Sequence, residues 1–209
     1  MARERLLITV KTYPTLSRKH GETVCTAGVR ADGTWVRLYP VPFRRLDEAE
    51  QYRKFDWIEL DVRKSTSDHR PEACERNWDE AKVEAMRDLS SHGELFVDEQ
   101  WRQTFALMPK LPFNFSYQFE DSDGKRSKLQ VLDWEVGQLF HNCLRDAGGD
   151  EGVALAKVKQ KYLGAFLKTD LHFFLGTMKE FHGFSPNPWV IIGVLPMPHP
   201  PAEDQLELL

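Results

Sequence analysis

Residues 67 to 72 read SDHRPE, which places two carboxylates (Asp68, Glu72), an imidazole (His69) and a guanidinium (Arg70) within five positions. A carboxylate or imidazole held in a loop can activate water as a general base. An arginine beside it can stabilise the negative charge that develops on a substrate. Pro71 stiffens the segment. Asp68, His69 and Glu72 are therefore the candidate catalytic residues for hydrolytic or base-processing chemistry. The same six residues also suit a polar turn in which Asp68 and Arg70 pair locally.

A second concentration lies in GTWVRLYPVPFRR, residues 33 to 45. Nucleic-acid surfaces combine cations for phosphate with aromatic rings on which unpaired bases stack. In an extended strand, Trp35, Arg37 and Tyr39 fall on one face, with Val36 and Leu38 on the other. Two readings stay open: the rings line a binding face, or they enter the core and Arg37 snorkels. The candidate nucleic-acid-binding residues are Lys11, Trp35, Arg37, Tyr39, Arg44, Arg45 and Arg70. In LDWE, Asp133 and Glu135 either share a face as paired acids or serve as helix cap and first-turn acid; the cap is preferred. His141 and Cys143 stand two apart with no second pair to complete a zinc site, so no metal and no cofactor is expected. His172, within the apolar LHFFLG, reads as a satisfied core histidine. No GxGxxG, Walker A, HExxH or GxSxG pattern occurs.

The elements that must position these groups follow from periodicity. The runs 6–16 and 22–41 are β-rich, the latter a hairpin turned at Asp32-Gly33. Residues 55–65 alternate as a half-buried strand. Helical spacing covers NWDEAKVEAMRDLSS (77–91) and VDEQWRQTFALM (97–108). FNFSYQF and KLQVL form a second hairpin around Asp123-Gly124. Asp133 caps a helix closed by Gly148-Gly149, a further helix carries EGVALAKVKQKYLGAFLK, and WVIIGVL fits a strand buried on both faces. These elements predict an α+β fold: an N-terminal antiparallel, barrel-like β module packed with helices, and a C-terminal β-hairpin completing the sheet. One domain is expected over 1–196, with a mobile proline-rich and acidic tail over 197–209.

The chain has 209 residues and a net charge of −4, unevenly spread. Residues 1–46 hold nine Lys/Arg against three acids, a net +6 that leaves −10 on the remainder. Such asymmetry points to a polyanion partner at the N-terminal end. No apolar run has the length of a membrane span, and MARERLLITV lacks the features of a signal peptide. Three widely spaced cysteines suit a reducing, cytoplasmic setting.

Three segments carry a likeness to known sequences: KTYPTLSRKHGETVCTAGVRADGTWVRLYPVPFR, LQVLDWEVGQLF, and DLHFFLGTMKEFH with NPWVIIGVL. Together they resemble an uncharacterised family of small bacterial proteins associated with nucleic-acid metabolism or genome defence. The resemblance covers both ends of the chain and implies a class, without supplying a catalytic residue. Relatives carry cysteines and a histidine in the hairpin before DWE, where this chain reads EDSDGKRSK. The expectation is a DNA- or RNA-directed protein, glycosylase- or nuclease-like in its chemistry. The alternatives are a non-catalytic nucleic-acid-binding module and a protein-interaction domain; nothing specifies an oligomer.

Overall fold

The structure is a computed structural model, and it describes residues 2–17, 21–46, 48–76, 108, 111–178 and 184–200. It is α+β, as the periodicities predict. The chain divides into two compact units, Met1–Phe113 and Asn114–Leu209, where the sequence suggests one domain. The expected helices over 77–91 and 97–107 and the tail from 201 onward lie outside the described residues.

Among the described residues, the first unit has six strands: β1 (Ala2–Lys11), β2 (Thr15–Ser17), β3 (Gly21–Arg30), β4 (Trp35–Val41), β5 (Trp57–Lys64) and β6 (Ala73–Arg76). Alternation makes them a barrel. Leu6, Ile8 and Val10 of β1, Val36 and Leu38 of β4, and Leu60 and Val62 of β5 are buried at period two. Neighbour pairing runs β1–β5–β6–β4–β3, and β3 pairs back onto β1, closing a five-stranded circuit with β2 as an extension on β3. Every pairing is antiparallel except β4 with β6, a parallel contact through Arg37↔Ala73 and Leu38↔Cys74.

Closure needs curvature, and irregularities supply it. The β1–β3 register shifts between Ile8 and Val10, and the β3–β4 register between Val24 and Thr26. At Gly28 the backbones approach so closely that a Cβ would lie 2.6 Å from the Leu7 carbonyl oxygen. The β3–β4 turn is the expected one. Gly33 takes φ +83 there. Asp32 Oδ1 accepts hydrogen bonds from Thr34 N (2.9 Å) and Oγ1 (2.7 Å), the local bonding that suits aspartate to turns. The Arg30 guanidinium meets the Glu4 carboxylate at 2.5 and 3.2 Å.

The second unit begins with a hairpin, β7 (Ser116–Glu120) and β8 (Arg126–Gln130), followed by helix α1 (Trp134–Asp146). Asp133 is the cap, as its residue type favours. It is 2% exposed. Its Oδ1 accepts from Glu135 N (3.0 Å) and its Oδ2 from Val194 N (2.8 Å). Glu135 is exposed in the first turn, so the two acids do not form a pair. Helix α2 (Glu151–Lys159) is capped by Asp150 and widens into a π turn over Gln160–Ala165, where the Tyr162 carbonyl accepts from the Tyr117 hydroxyl (2.7 Å). The C-terminal hairpin forms as β9 (Asp170–Thr177) and β10 (Trp189–Met197). It is a two-stranded sheet, and Ile191 bridges it to Val131. His172 is not a core histidine. It is exposed on the two-stranded hairpin and faces Asp170 at 3.0 Å.

Candidate functional site

β4 settles which way its side chains point. Val36 and Leu38 enter the barrel, so Trp35, Arg37 and Tyr39 stand on its outer wall, with Trp35 47% exposed. The snorkelling alternative, with both rings in the core, is not what forms.

The SDHRPE segment connects β5 to β6, and the parallel β4–β6 contact lays it against β4. Arg37 N donates to the Glu72 carbonyl (2.7 Å). The loop holds its own shape through short-range bonds of the kind that stabilise Ser- and Asp-containing turns. Asp68 N donates to Ser65 Oγ (3.1 Å), and Ser65 Oγ donates to Glu75 Oε1 (2.5 Å). Ala73 N bonds the Arg70 carbonyl (3.1 Å), and Asp68 Oδ1 accepts from Arg70 N (3.2 Å).

This packing brings together residues distant in sequence. The Asp68 carboxylate, its side chain 11% exposed, accepts from the guanidinium of Arg70 (Nε–Oδ1 2.9 Å, Nη2–Oδ2 2.6 Å) and from Arg37 Nη2. The hydrogen bonds from Arg70, aided by the Arg37 charge and opposed by burial, hold the Asp68 carboxyl well below the usual carboxylate range. A carboxylate so stabilised is a weak base, and its lone pairs already point at donors. In this geometry Asp68 organises cations rather than water. Glu72 approaches Arg70 Nε at 4.0 Å and is partly exposed; His69 is exposed on the same loop. Beside Arg37 lies Cys25, its thiol pushed up by burial, with Sγ 3.9 Å from Nη1.

The remaining candidates gather elsewhere on the barrel. Arg44 is held at 3.0 and 3.1 Å by the carboxylate of Glu22, whose side chain is 8% exposed. Arg45 follows on the same 3-10 turn (Phe43–Arg45), and burial presses its pKa down. Lys11 Nζ sits 3.8 Å from the centre of the Phe43 ring and 3.4 Å from the Tyr52 carbonyl, a cation held over an aromatic face. Burial, with Glu22 nearby, pushes Tyr13 up to about 12. Lys11 and Arg44 thus serve local structure around Phe43 and Glu22. A cleft of about 480 Å³ is lined by Leu38 and Val41 of β4, Tyr52, and Ile58 and Leu60 of β5; it reaches the inward side of β4 rather than the Arg37 side.

Residues absent from the sequence expectation also contribute aromatic surface. Trp57, paired with Leu7, is 47% exposed under Arg5, whose Cζ is 4.9 Å from its ring centre; Phe55 is exposed at φ +71. The alternation of residues 55–61 placed Trp57 opposite the core side, which was the available signal. Among the described residues no three His, Cys, Asp or Glu side chains gather as a metal site requires, and no helix is long and apolar enough to cross a membrane.

The chain belongs to two families: a domain of unknown function (DUF8758) matches residues 2–107, and a domain of unknown function (DUF8757) matches residues 55–208. The matches overlap across β5, the SDHRPE loop and β6. No curated protein and no solved structure matches the chain.

Proposed function

For a chain of these two families we propose that the barrel is a nucleic-acid-binding module that holds DNA or RNA along the outer wall of β4. The observation that carries the reading is the stripe Trp35–Arg37–Tyr39, turned outward on one strand and bordered by the Ser65–Glu72 loop. Along a strand these residues recur at roughly 6–7 Å intervals, a cation between two rings. Aromatic platforms beside cations are how sequence-tolerant nucleic-acid grooves work.

Architecture adds support by analogy. Counting β1, β3, β4, β5 and β6 as barrel strands one to five, the circuit 1-2-3-5-4-1 with parallel third and fifth strands resembles the OB-type barrel. Such barrels receive oligonucleotides or oligosaccharides on the face of strands two and three and at the loop between strands four and five. Here those places are β3, β4 and Ser65–Glu72, the positions of Arg37 and Asp68. A fold hosts many functions, so the argument rests on the site's residues and takes the fold as context.

A catalytic version of the reading, with Asp68, His69 and Glu72 processing a base or cleaving a strand, asks Asp68 to take a proton while two guanidiniums hold it. Binding without chemistry needs nothing of the kind and is preferred. The test is a salt titration of affinity for labelled oligonucleotides. Trp35→Ala is expected to cost about 1–3 kcal/mol of binding, one stacking contact. Arg37→Ala is expected to reduce the salt slope by about 0.7–0.9, one phosphate. Binding of the folded Trp35→Ala, Arg37→Ala double variant with wild-type affinity and slope would remove nucleic acid from this face.

A further inference from the structure

Arg37 and Arg70 converge on one carboxylate, and they do so unequally. Arg70 lies two residues from Asp68 in the same loop and engages both carboxylate oxygens. Its Nε is 2.9 and 3.3 Å from Oδ1 and Oδ2, its Nη2 is 2.6 Å from Oδ2, and its backbone N–H is 3.2 Å from Oδ1. Arg37 comes from another strand, 31 positions away, and gives Asp68 a single N–H from Nη2. Its remaining donors are poorly served. Nη1 meets only the Cys25 sulfur at 3.9 Å, and Nε is buried without a hydrogen-bond partner. Sulfur is a weak acceptor, and a guanidinium carries five N–H donors in a planar fork. Arg70 has spent its fork on Asp68, with Glu72 at 4.0 Å behind it; Arg37 has not.

Resting on the binding function proposed above, we propose that Arg70 is a positioning residue that neutralises Asp68, so that Arg37 is left as the phosphate-binding cation between Trp35 and Tyr39 for an unpaired strand. Without Arg70, Asp68 would turn its whole charge on Arg37, and the stripe would present a neutral ion pair to an approaching phosphate. With Arg70 in place, Asp68 is matched within its own loop, and Arg37 can exchange its one charge-assisted contact with Asp68 for another to a phosphodiester oxygen. The strand is unpaired because bases inside a duplex have both faces covered by their neighbours. A half-exposed Trp35 beside Arg37 can stack only on a base that is free. The phosphate chemistry is common to DNA and RNA, so both are probes.

The sign of the mutational effects separates this role from a merely structural one. Counted as bare charge, Arg70→Ala removes a cation and weakens binding under either account. Asp68→Asn in the Arg70→Ala background should then restore affinity under the neutralisation account, because the carboxylate that captured Arg37 is gone. A loop that needs the Asp68–Arg70 pair for its shape would gain nothing from losing both members. Glu72→Gln keeps the main-chain carbonyl that accepts from Arg37 N and removes a carboxylate from behind Arg70; it should tighten binding modestly.

The experiment uses the full chain and fluorescein-labelled oligo-dT and oligo-U of about 15 nucleotides, within the span of such grooves, with the oligo-dT·oligo-dA duplex as competitor. Anisotropy is read across a salt series, and thermal melts accompany every variant. The wild type should prefer the single strands. Arg37→Ala and Arg70→Ala should each lose about tenfold or more, the scale of one hydrogen bond to a charged group. Asp68→Asn/Arg70→Ala should return to within a few-fold of wild type, with its salt slope restored. If Arg70→Ala melts early, Arg70→Gln, which keeps donors and loses charge, replaces it and faces the same rescue. A double variant no better than Arg70→Ala while wild type binds overturns the role of Arg70. Equal affinity for duplex overturns the single-strand assignment. A wild type that binds neither oligo-dT, oligo-U nor duplex refutes the underlying binding function instead.

Discussion

Gly28→Ala tests how the barrel closes. The added methyl would stand 2.6 Å from the Leu7 carbonyl oxygen, 3.2 Å from the Leu7 carbonyl carbon and 3.5 Å from Ile8 Cα. All three are backbone atoms of the β1–β3 ladder, in which Leu7 pairs with Val29 and Ile8 with Gly28, so no side-chain rotation relieves the contact. Forcing a methyl into packing this close costs roughly 1–3 kcal/mol. Stiffening the unfolded chain returns about 0.4–1 kcal/mol of that. The net loss of about 1–2 kcal/mol corresponds to a drop in Tm of roughly 5–15 °C for a domain of this size. Circular-dichroism melts and urea midpoints measure it. Gly152→Ala is the control. It lies in the first turn of α2, where the nearest atom to a new Cβ is Asp150 Oδ1 at 3.3 Å. Alanine there meets only one movable side-chain oxygen, against the backbone atoms at Gly28, and should stay within about 0.5–1 kcal/mol of wild type. A Gly28→Ala protein that melts at or above the wild-type temperature would refute the close approach of β1 and β3 on which the closure argument stands.

Two further outcomes follow from buried carboxylates. Asp133→Ala should destabilise the second unit by about 2–4 kcal/mol, combining a lost helix cap with a lost buried hydrogen bond from Val194 N. Asp133→Asn should cost clearly less in the same urea titration, because asparagine still caps. Asp68 sets an acid limb. Its carboxyl is held below its unfolded value of about 3.9, so its contribution is present above that pH and lost as pH falls below it toward the folded value. Asp68→Asn should therefore show a shallower fall in urea midpoint between pH 5 and pH 3 than the wild type, a test read from about one pH unit either side of the unfolded value. Parallel curves would show that the pair with Arg70 adds no stability.

What could be read from residue order was local. The Asp32-Gly33 turn, the alternation that turns Trp35, Arg37 and Tyr39 to one side, and the Asp133 cap each depend on neighbours within a few positions, where turn chemistry and period two decide the outcome. What could not be read was pairing across distance. Arg44 and Glu22 are 22 positions apart, and Arg37 and Asp68 are 31 apart. A cluster of bases in sequence therefore looked like one surface, whereas the fold divides it between a buried acid and the outer wall of β4. The same limit hid the meaning of SDHRPE. Its residue types fit either a proton-transfer loop or a turn in which Asp68 pairs with Arg70; the pair forms, and only the parallel contact of β6 with β4 reveals that Arg37 joins it. His172 shows the reverse error, since an apolar run suggested burial and the residue stands exposed on a two-stranded hairpin beside Asp170.

The contact between β4 and β6 is two residue pairs long, and the Arg37 amide bond to Glu72 continues it. That seam is where the barrel's circumference is thinnest, and the Arg37–Asp68 bridge fastens it from outside. On the proposed function, recognition and mechanical integrity share the same few atoms. A strand that drew Arg37 away from Asp68 would loosen the rivet that keeps the cylinder shut, while its own contacts bridged the gap from above. On the proposed function, affinity at this wall and the resistance of the barrel to opening meet at one joint, and a substitution at Arg37 bears on both.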